Sequence, residues 1–267
     1  EQSGAALKQY RQRLTGGWGV LAQVGAWSVF ALGFILPVTQ LLYWVVSSFD
    51  QHTEGTFDLL LNTVLLAVLA ATITLLVASI MVWAQRQKQT KPRSFMTELS
   101  QLGYAMPGTV LAVGIMMALN GIDSWIADIM DDQSQWLATG LFALLLAYVI
   151  RFLRIGYGPL ASSMGQIKPS VVETAGILGA GKRERLLRVY IPLLRPGVFT
   201  ALLLVFVEVM KEMPATLILR TYGWDTLAVR IYELSAEGQW ELTSLPAIML
   251  VAVGIIPVIL LIKKSEL

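Results

Sequence analysis

The sequence predicts an all-α integral membrane protein with six transmembrane helices. Of its 267 residues, 55% are hydrophobic and only 14% are charged, and the mean hydropathy is +0.64. Soluble domains carry about 25% charged residues, so this composition excludes an ordinary soluble fold. The net charge of +2 gives no footprint for a nucleic acid, and the absence of cysteine excludes disulfides and thiolate metal sites.

Long uncharged runs locate the spans, because a bilayer core about 30 Å thick needs about 20 apolar residues in a helix. The predicted spans are Gly16–Phe49, Leu59–Ala84, Gly103–Gly121, Trp136–Ile150, Gly197–Leu219 and Leu242–Ile262. The fourth is short, and Arg151 and Arg154 after it are expected to extend their side chains to the interface. The fifth is interrupted by Glu208, Lys211 and Glu212. Charge in the loops supports it as a span.

Basic and acidic residues alternate between successive connections. The basic ones are Lys8, Arg11, Arg13, Arg86, Lys88, Lys91, Arg93, Lys182, Arg183, Arg185, Arg188, Lys263 and Lys264. The acidic ones are Asp50, Glu54, Asp58, Asp123, Asp128, Asp131 and Asp132. The positive-inside rule therefore predicts a protein of the plasma (cell inner) membrane, with both termini and Val171–Pro196 in the cytoplasm. The protein is therefore expected to be surrounded by membrane lipid. Anionic headgroups or a partner protein are expected beside the basic segment from Lys182 to Arg188.

The outer loops hold two weaker candidates. Their aspartates could attract a cation or the basic residues of a binding protein, yet acids are also ordinary for a solvated loop. His52 is the one histidine of the sequence, and it is interpreted as solvated rather than as a metal ligand. The metal ligands, if any, are not identified.

The segment Gly176–Arg183, GILGAGKR, matches a phosphate-binding P-loop at all but its last position. A P-loop follows a strand and ends in Ser or Thr, which reaches magnesium, and Arg183 cannot do so. Ser170 and Glu173 instead predict a capping box that opens a helix. We therefore expect no ATP site in this chain. No catalytic set of side chains is found on one side of the membrane, so an enzyme is not expected either.

The same stretch resembles the cytoplasmic EAA loop of ABC importer permeases, whose pattern is E-A-A, three residues, Gly, nine residues and I-x-L-P. Glu173, Ala175, Gly179 and Pro192 match by identity. Thr174, Val189 and Ile191 depart from it with residues of similar size. The resemblance implies a type I ABC importer permease fold with a cytoplasmic coupling helix inside the loop 169–196. The residues implied to couple the chain to an ATPase subunit are Glu173, Thr174, Ala175, Gly176, Gly179 and Pro192.

The residues suit such a helix, predicted over Val171–Leu178. Small Ala175 and Gly176 would let it approach a partner backbone, Glu173 would cap it, and Gly179 and Gly181 would end it in left-handed conformations. An ordinary basic amphipathic helix beside the membrane is the alternative. By the resemblance, ATP and magnesium bind a dimer of ATP-binding cassette subunits, and this chain carries no cofactor.

A second stretch, Val207–Gly238, resembles the K-E-L-P-x-T-L-x-L-R-P-x-G-F-D-T-L-A segment of ferric-iron importer permeases, with Met213, Thr221 and Trp224 as departures. The resemblance implies ferric iron as substrate, a periplasmic binding protein and a second permease half as partners, and a chain that is one half of a fused permease. The expected division is a tail or linker over 1–15, a peripheral first helix and outer loop over 16–56, and a permease core over 57–267. Thiamine, polyamine, sulfate and phosphonate permeases share the architecture.

Glu208, Lys211 and Glu212 carry a separate hypothesis. Glu208 and Glu212 would share a helical face at i,i+4 near the middle of the membrane, where charges mark a pathway, a gate or an internal ion pair. Pro214 is expected to end or kink this helix. If the acids bound protons or sodium, the chain would be an ion-coupled carrier, but no second copy of the charged span supports that class.

Overall fold

The computed structural model describes residues 14, 16–48, 55–87, 90–130 and 137–265. These residues form helices and connections, with no β-strand among them. The helices are α1 Gly17–Ser47, α2 Thr56–Gln87, α3 Lys91–Ser100, α4 Gly108–Met130, α5 Leu141–Gln166, α6 Pro169–Ile177, α7 Lys182–Met210, α8 Pro214–Leu219, α9 Leu227–Ala236 and α10 Trp240–Ser265. Six of them, α1, α2, α4, α5, α7 and α10, are long and apolar enough to cross a membrane, which confirms the predicted all-α fold with six transmembrane helices.

The fourth span was predicted too early in the chain. Helix α5 covers Leu141–Gln166, so Arg151 and Arg154 lie inside it rather than beyond its end. The helix continues because its buried face does, through Phe152 and Leu160. Trp136, the predicted start, lies outside the described residues.

The fifth span differs from Gly197–Leu219 at both ends. Helix α7 begins at Lys182, so the basic segment forms its first turns. It ends at Met210, and a new helix starts at Pro214. Proline has no N–H, and its ring meets the carbonyl four residues earlier, which here belongs to Met210. Helix α7 therefore ends at Met210, four residues before Pro214.

Two π-turns widen the long helices, at Ala31–Ile35 in α1 and Leu186–Tyr190 in α7. Each is followed two residues later by proline, Pro37 and Pro192 respectively. A proline inside a helix cannot donate to the carbonyl one turn earlier, and a wider turn is a common way to accommodate it. Pro192 thus shapes the start of α7.

The core is built where α2, α5 and α7 pack against one another. Its fully buried small residues are Ala67, Ala70, Ala71, Ala78, Ala143, Ala147 and Ala201. Small side chains let helix backbones approach closely in a membrane, where packing drives association. Gly156 marks a close approach of α5 to α2, because a β-carbon there would lie 3.2 Å from Cγ2 of Thr74.

Helix α1 lies outside this core and packs against α10. None of its apolar window is buried within the chain. The division of the chain at residues 15 and 56 stays a prediction.

Candidate functional site

The predicted coupling helix is present as α6, but it starts earlier than expected. Its first residue is Pro169, Lys168 is the N-cap, and no side chain caps it. The capping box of Ser170 and Glu173 is therefore wrong. Proline suits the first helical position, where its fixed φ fits and its missing N–H leaves no bond unmade. Glu173 and Thr174 are free to face solvent, and both are exposed.

The end of α6 is a Schellman motif centred on Gly179. The N–H of Gly179 donates to the carbonyl of Gly176 at 3.0 Å, and the N–H of Ala180 donates to that of Ala175 at 2.9 Å. Gly179 has φ +88°, the left-handed conformation expected for it. Gly181 does not share that conformation: its φ is −67°, and it is the N-cap of α7.

Only part of the predicted small-residue surface of α6 is exposed: Gly176 is exposed, but Ala175 is not. Val172 is half-buried and packs against the chain's own core, and Ala175 is also half-buried. Ile177 and Leu178, at the tip, are 86% and 82% exposed. Sequence reasoning missed both, although two apolar residues directly before the turn glycine were a visible signal. Exposed apolar residues clustered in this way are typical of a contact surface.

The remaining predicted coupling residue, Pro192, lies on α7. It is half-buried and follows the π-turn Leu186–Tyr190. The six predicted residues therefore occupy one helix tip and the beginning of the next transmembrane helix.

The second candidate site lies at the break between α7 and α8. Glu212 is only 7% exposed there. Nε of Arg151 donates to its Oε2 at 3.0 Å, and the backbone N–H of Ala215 donates to its Oε1 at 3.1 Å. Nη1 of Arg151 also donates to the carbonyl of Met106 at 2.7 Å. One ion pair thus joins α5, the α7–α8 break and the segment before α4.

Gly108, the first residue of α4, completes this junction. A β-carbon on Gly108 would lie 2.7 Å from Oε1 of Glu212 and 3.2 Å from Cβ of Pro214. Any larger residue would therefore push against the ion pair. Sequence reasoning missed Arg151, Met106 and Gly108 as parts of this site. Arg151 was the available signal, because a charge inside an apolar helix needs a counter-charge.

Lys211 and Glu208 form a separate and more open pair, with Nζ and Oε1 2.8 Å apart. Their side chains are 56% and 28% exposed. The shared face predicted for Glu208 and Glu212 is wrong, because α7 ends between them at Met210. Whether these residues serve a pathway, a gate or only internal pairing stays a prediction.

The outer acidic residues do not form a cation site among the described residues. Asp123 is buried within α4, and its carboxylate accepts from the backbone N–H groups of Leu137 and Ala138 at 2.9 to 3.2 Å. It therefore fixes the chain before α5. Asp128 is exposed on α4. His52, Asp131 and Asp132 lie outside the described residues. In the part of the chain that the structure describes, no three His, Asp or Glu side chains are grouped to hold a metal.

Six apolar helices and an EAA-like loop folded as a short helix between two of them are the features of a permease of the ABC importer class. Residues 75–264 match the family described as binding-protein-dependent transport system inner membrane component, and the chain belongs to that family.

The similar proteins are named as transporters of two kinds of substrate. The chain is 28% identical over 242 residues to the Fe(3+)-transport system permease protein FbpB 2 of Haemophilus influenzae, covering 89% of this chain and 46% of the relative. It is 25% identical to the ferric transport system permease protein FbpB of Actinobacillus pleuropneumoniae, covering 70% of this chain and 26% of the relative. The chain thus spans about half the length, or less, of these ferric relatives.

A relative of Salmonella typhimurium, provisionally named a 2-aminoethylphosphonate transport system permease protein, is 26% identical and is covered to 92% of its length. The chain also resembles the crystal structure of a bacterial ABC transporter involved in the import of the acidic polysaccharide alginate. That likeness has a TM-score of 0.69 at 17% identity and covers 93% of this chain and 95% of the other. At this identity the likeness supports the fold alone.

Proposed function

We propose that this chain is one half of a permease that passes ferric iron into the cytoplasm. Transport is driven by hydrolysis of ATP, which a dimer of partner ATPase subunits binds together with magnesium. A periplasmic binding protein delivers the substrate, and a second permease half completes the pathway. The similarity to the two ferric permeases carries the choice of substrate. The 46% coverage of the Haemophilus relative is consistent with half of a fused polypeptide.

The coupling contact in this proposal is the tip of α6. Ile177 and Leu178 supply the apolar part of the contact, and exposed Glu173 and Thr174 supply the polar part. Gly179 ends the helix so that this tip projects from the chain. The basic residues that follow the tip support a cytoplasmic location under the positive-inside rule, and the proposal puts both termini on the same side.

A 2-aminoethylphosphonate permease is the second candidate, because that relative matches nearly end to end. The two substrates differ in the charge that the pathway must accept. Ferric iron is a hard cation that prefers oxygen ligands such as carboxylates. A phosphonate is an anion that prefers Arg and Lys.

Uptake into proteoliposomes distinguishes the two. The complete permease is reconstituted with its ATPase and binding protein, and ATP-dependent uptake of radioactive ferric iron and of 2-aminoethylphosphonate is measured in parallel. Uptake of iron that requires both partners and ATP is the expected result. Uptake of the phosphonate alone would replace ferric iron as the substrate, and uptake without ATP would refute the importer assignment.

A further inference from the structure

Two cavities adjoin at the basic end of α2 and α7, and both are lined by Trp83. The first has a volume of about 330 Å³ and is cationic, with Arg86, Lys182 and Arg185 in its wall. The second has a volume of about 400 Å³ and is apolar. A charged recess and an apolar groove that share the wall residue Trp83 have the chemistry of a site for an amphiphile.

The cationic recess lacks a counter-ion within the described residues. Its lining holds no carboxylate, and none of its three cations forms an ion pair with a described Asp or Glu. Nη2 of Arg86 donates to the carbonyl of Ile167 at 2.8 Å, which fixes that side chain. Nε of Arg185 is buried and has no hydrogen-bond partner among the described residues. A buried donor left without a partner is unfavourable, so an anion at this place would be stabilised.

The apolar groove runs from the recess along the transmembrane helices. Its wall is formed by side chains of α2, α5 and α7 that include Ile80, Leu160, Met164 and Leu194. Ile80 is 69% exposed, so no described residue covers this surface. Hydrocarbon is the solvent that such a wall prefers.

Two aromatic residues where the recess meets the groove indicate how deep this site lies in the membrane. The rings of Trp83 and Tyr190 meet edge to face, with centroids 4.9 Å apart. Tryptophan and tyrosine concentrate at the membrane interface, where the ring is apolar and its polar atom is wet. The recess therefore lies at headgroup level, and the groove lies at acyl-chain level.

We propose that this composite site binds one anionic phospholipid of the cytoplasmic leaflet. The phosphate lies in the recess beside Arg185 and Lys182, and an acyl chain lies along the groove from Trp83. An acidic side chain of a partner protein would satisfy the cations but would leave the groove uncovered. A phospholipid matches both cavities. The site is independent of which substrate the permease carries.

The test is competition for the purified full-length permease in a neutral detergent. Binding of phosphatidylglycerol is measured by native mass spectrometry, with phosphatidylcholine of the same acyl length as the reference. We expect the anionic lipid to be retained preferentially. Replacing Lys182 and Arg185 with glutamine should weaken its binding about fivefold per charge, which is about 1 kcal/mol each.

Arg183→Gln is the matched control, since Arg183 is an exposed neighbour that does not line the recess. It removes the same charge and should leave the affinity within about twofold, because an exposed charge outside the recess is screened by water and salt. Ser79→Trp tests the groove without changing charge, since Ser79 lines it, and should also weaken binding.

Four results would overturn the proposal. Equal retention of the two lipids would remove the anionic preference. An equal loss in Arg183→Gln and in the recess variants would show a diffuse charge effect rather than a site. Displacement of the lipid by millimolar inorganic phosphate, with no effect of Ser79→Trp, would assign the recess to a free anion. If the recess variants instead kept the lipid and lost only the ATPase subunit, the occupant would be the protein partner.

Discussion

The ion pair between Arg151 and Glu212 should be a major stabilising contact of the fold. Replacing Arg151 with methionine keeps most of the apolar stem and removes the guanidinium. Glu212 would then be left with one backbone donor, Ala215, in a place where it is only 7% exposed. Removing one partner of a buried pair costs about 3–5 kcal/mol, because the other charge stays buried without compensation.

Glu212→Gln should cost less, about 1–3 kcal/mol. The amide oxygen still accepts from the backbone of Ala215, and Arg151 keeps its bond to the carbonyl of Met106 and is 19% exposed. The double variant should lose about 1–3 kcal/mol less than the sum of the two single losses, because it leaves no isolated charge. Lys211→Met is the control: its ion pair is more than half exposed on the lysine side and should contribute less than about 1 kcal/mol.

The measurement is equilibrium unfolding of the full-length permease by sodium dodecyl sulfate in mixed micelles, followed by fluorescence of its tryptophans. Reversibility is checked by dilution back into the neutral detergent. If Arg151→Met and Lys211→Met were equally stable, or if the double variant showed strictly additive losses, the buried pair would not be a structural junction.

Three further predictions concern coupling, topology and transport. Gly179→Val should uncouple ATP hydrolysis from transport, because a left-handed φ costs an L-residue about 1–2 kcal/mol and frays the tip of α6; Gly181→Val, at φ −67°, should retain coupling in the same ATPase assay. The chain lacks cysteine, so single cysteines at Lys182 and at fully exposed Tyr222 report topology directly, and we expect the first to react only from the cytoplasm and the second only from outside. Glu208→Gln should reduce uptake at least about tenfold without loss of assembly if Glu208 lines the pathway, a change of about 1.4 kcal/mol.

Each of these has a result that would contradict it. Coupled turnover in Gly179→Val at the wild-type level would remove the tip of α6 from the coupling contact. Labelling at Lys182 from the periplasm would invert the assignment of sides. Normal uptake by Glu208→Gln would leave its pair with Lys211 as a purely structural contact.

The sequence was sufficient for the number of spans because that property depends only on local composition. Uncharged runs about 20 residues long must be buried in hydrocarbon or in protein, wherever the rest of the chain lies. The same reasoning placed Gly179 at a left-handed helix end, since a glycine after a short helix is a local signal. It failed at the fourth span, because it treated Arg151 as a boundary. A charge ends a span only when it has no partner inside, and the partner is 61 positions away in the sequence.

The helix break shows the complementary difficulty. Pro214 correctly indicated an interruption, but the predicted shared i,i+4 face of Glu208 and Glu212 assumed that the helix continued up to the proline. The steric conflict of a proline lies one turn earlier, at Met210. Once α7 ends there, Glu212 is released from the helix axis and can turn toward α5. The orientation of Val172 was hidden for a different reason, because only tertiary packing against the buried cluster that includes Tyr190 decides which side of α6 is covered.

Helix α7 links the two candidate sites physically. It starts at Lys182, directly after the loop that follows α6, and ends at Met210, next to the Arg151–Glu212 junction. Its 29 residues span about 44 Å at 1.5 Å per residue. A regular helix transmits a push along its axis with little compression, so a displacement of α6 must be absorbed elsewhere. The irregular points are the π-turn Leu186–Tyr190 near one end and the non-helical Lys211–Met213 at the other. The ion pair fixes the second point to α5, and the buried ring of Tyr190, edge to face with Trp83, fixes the first to α2.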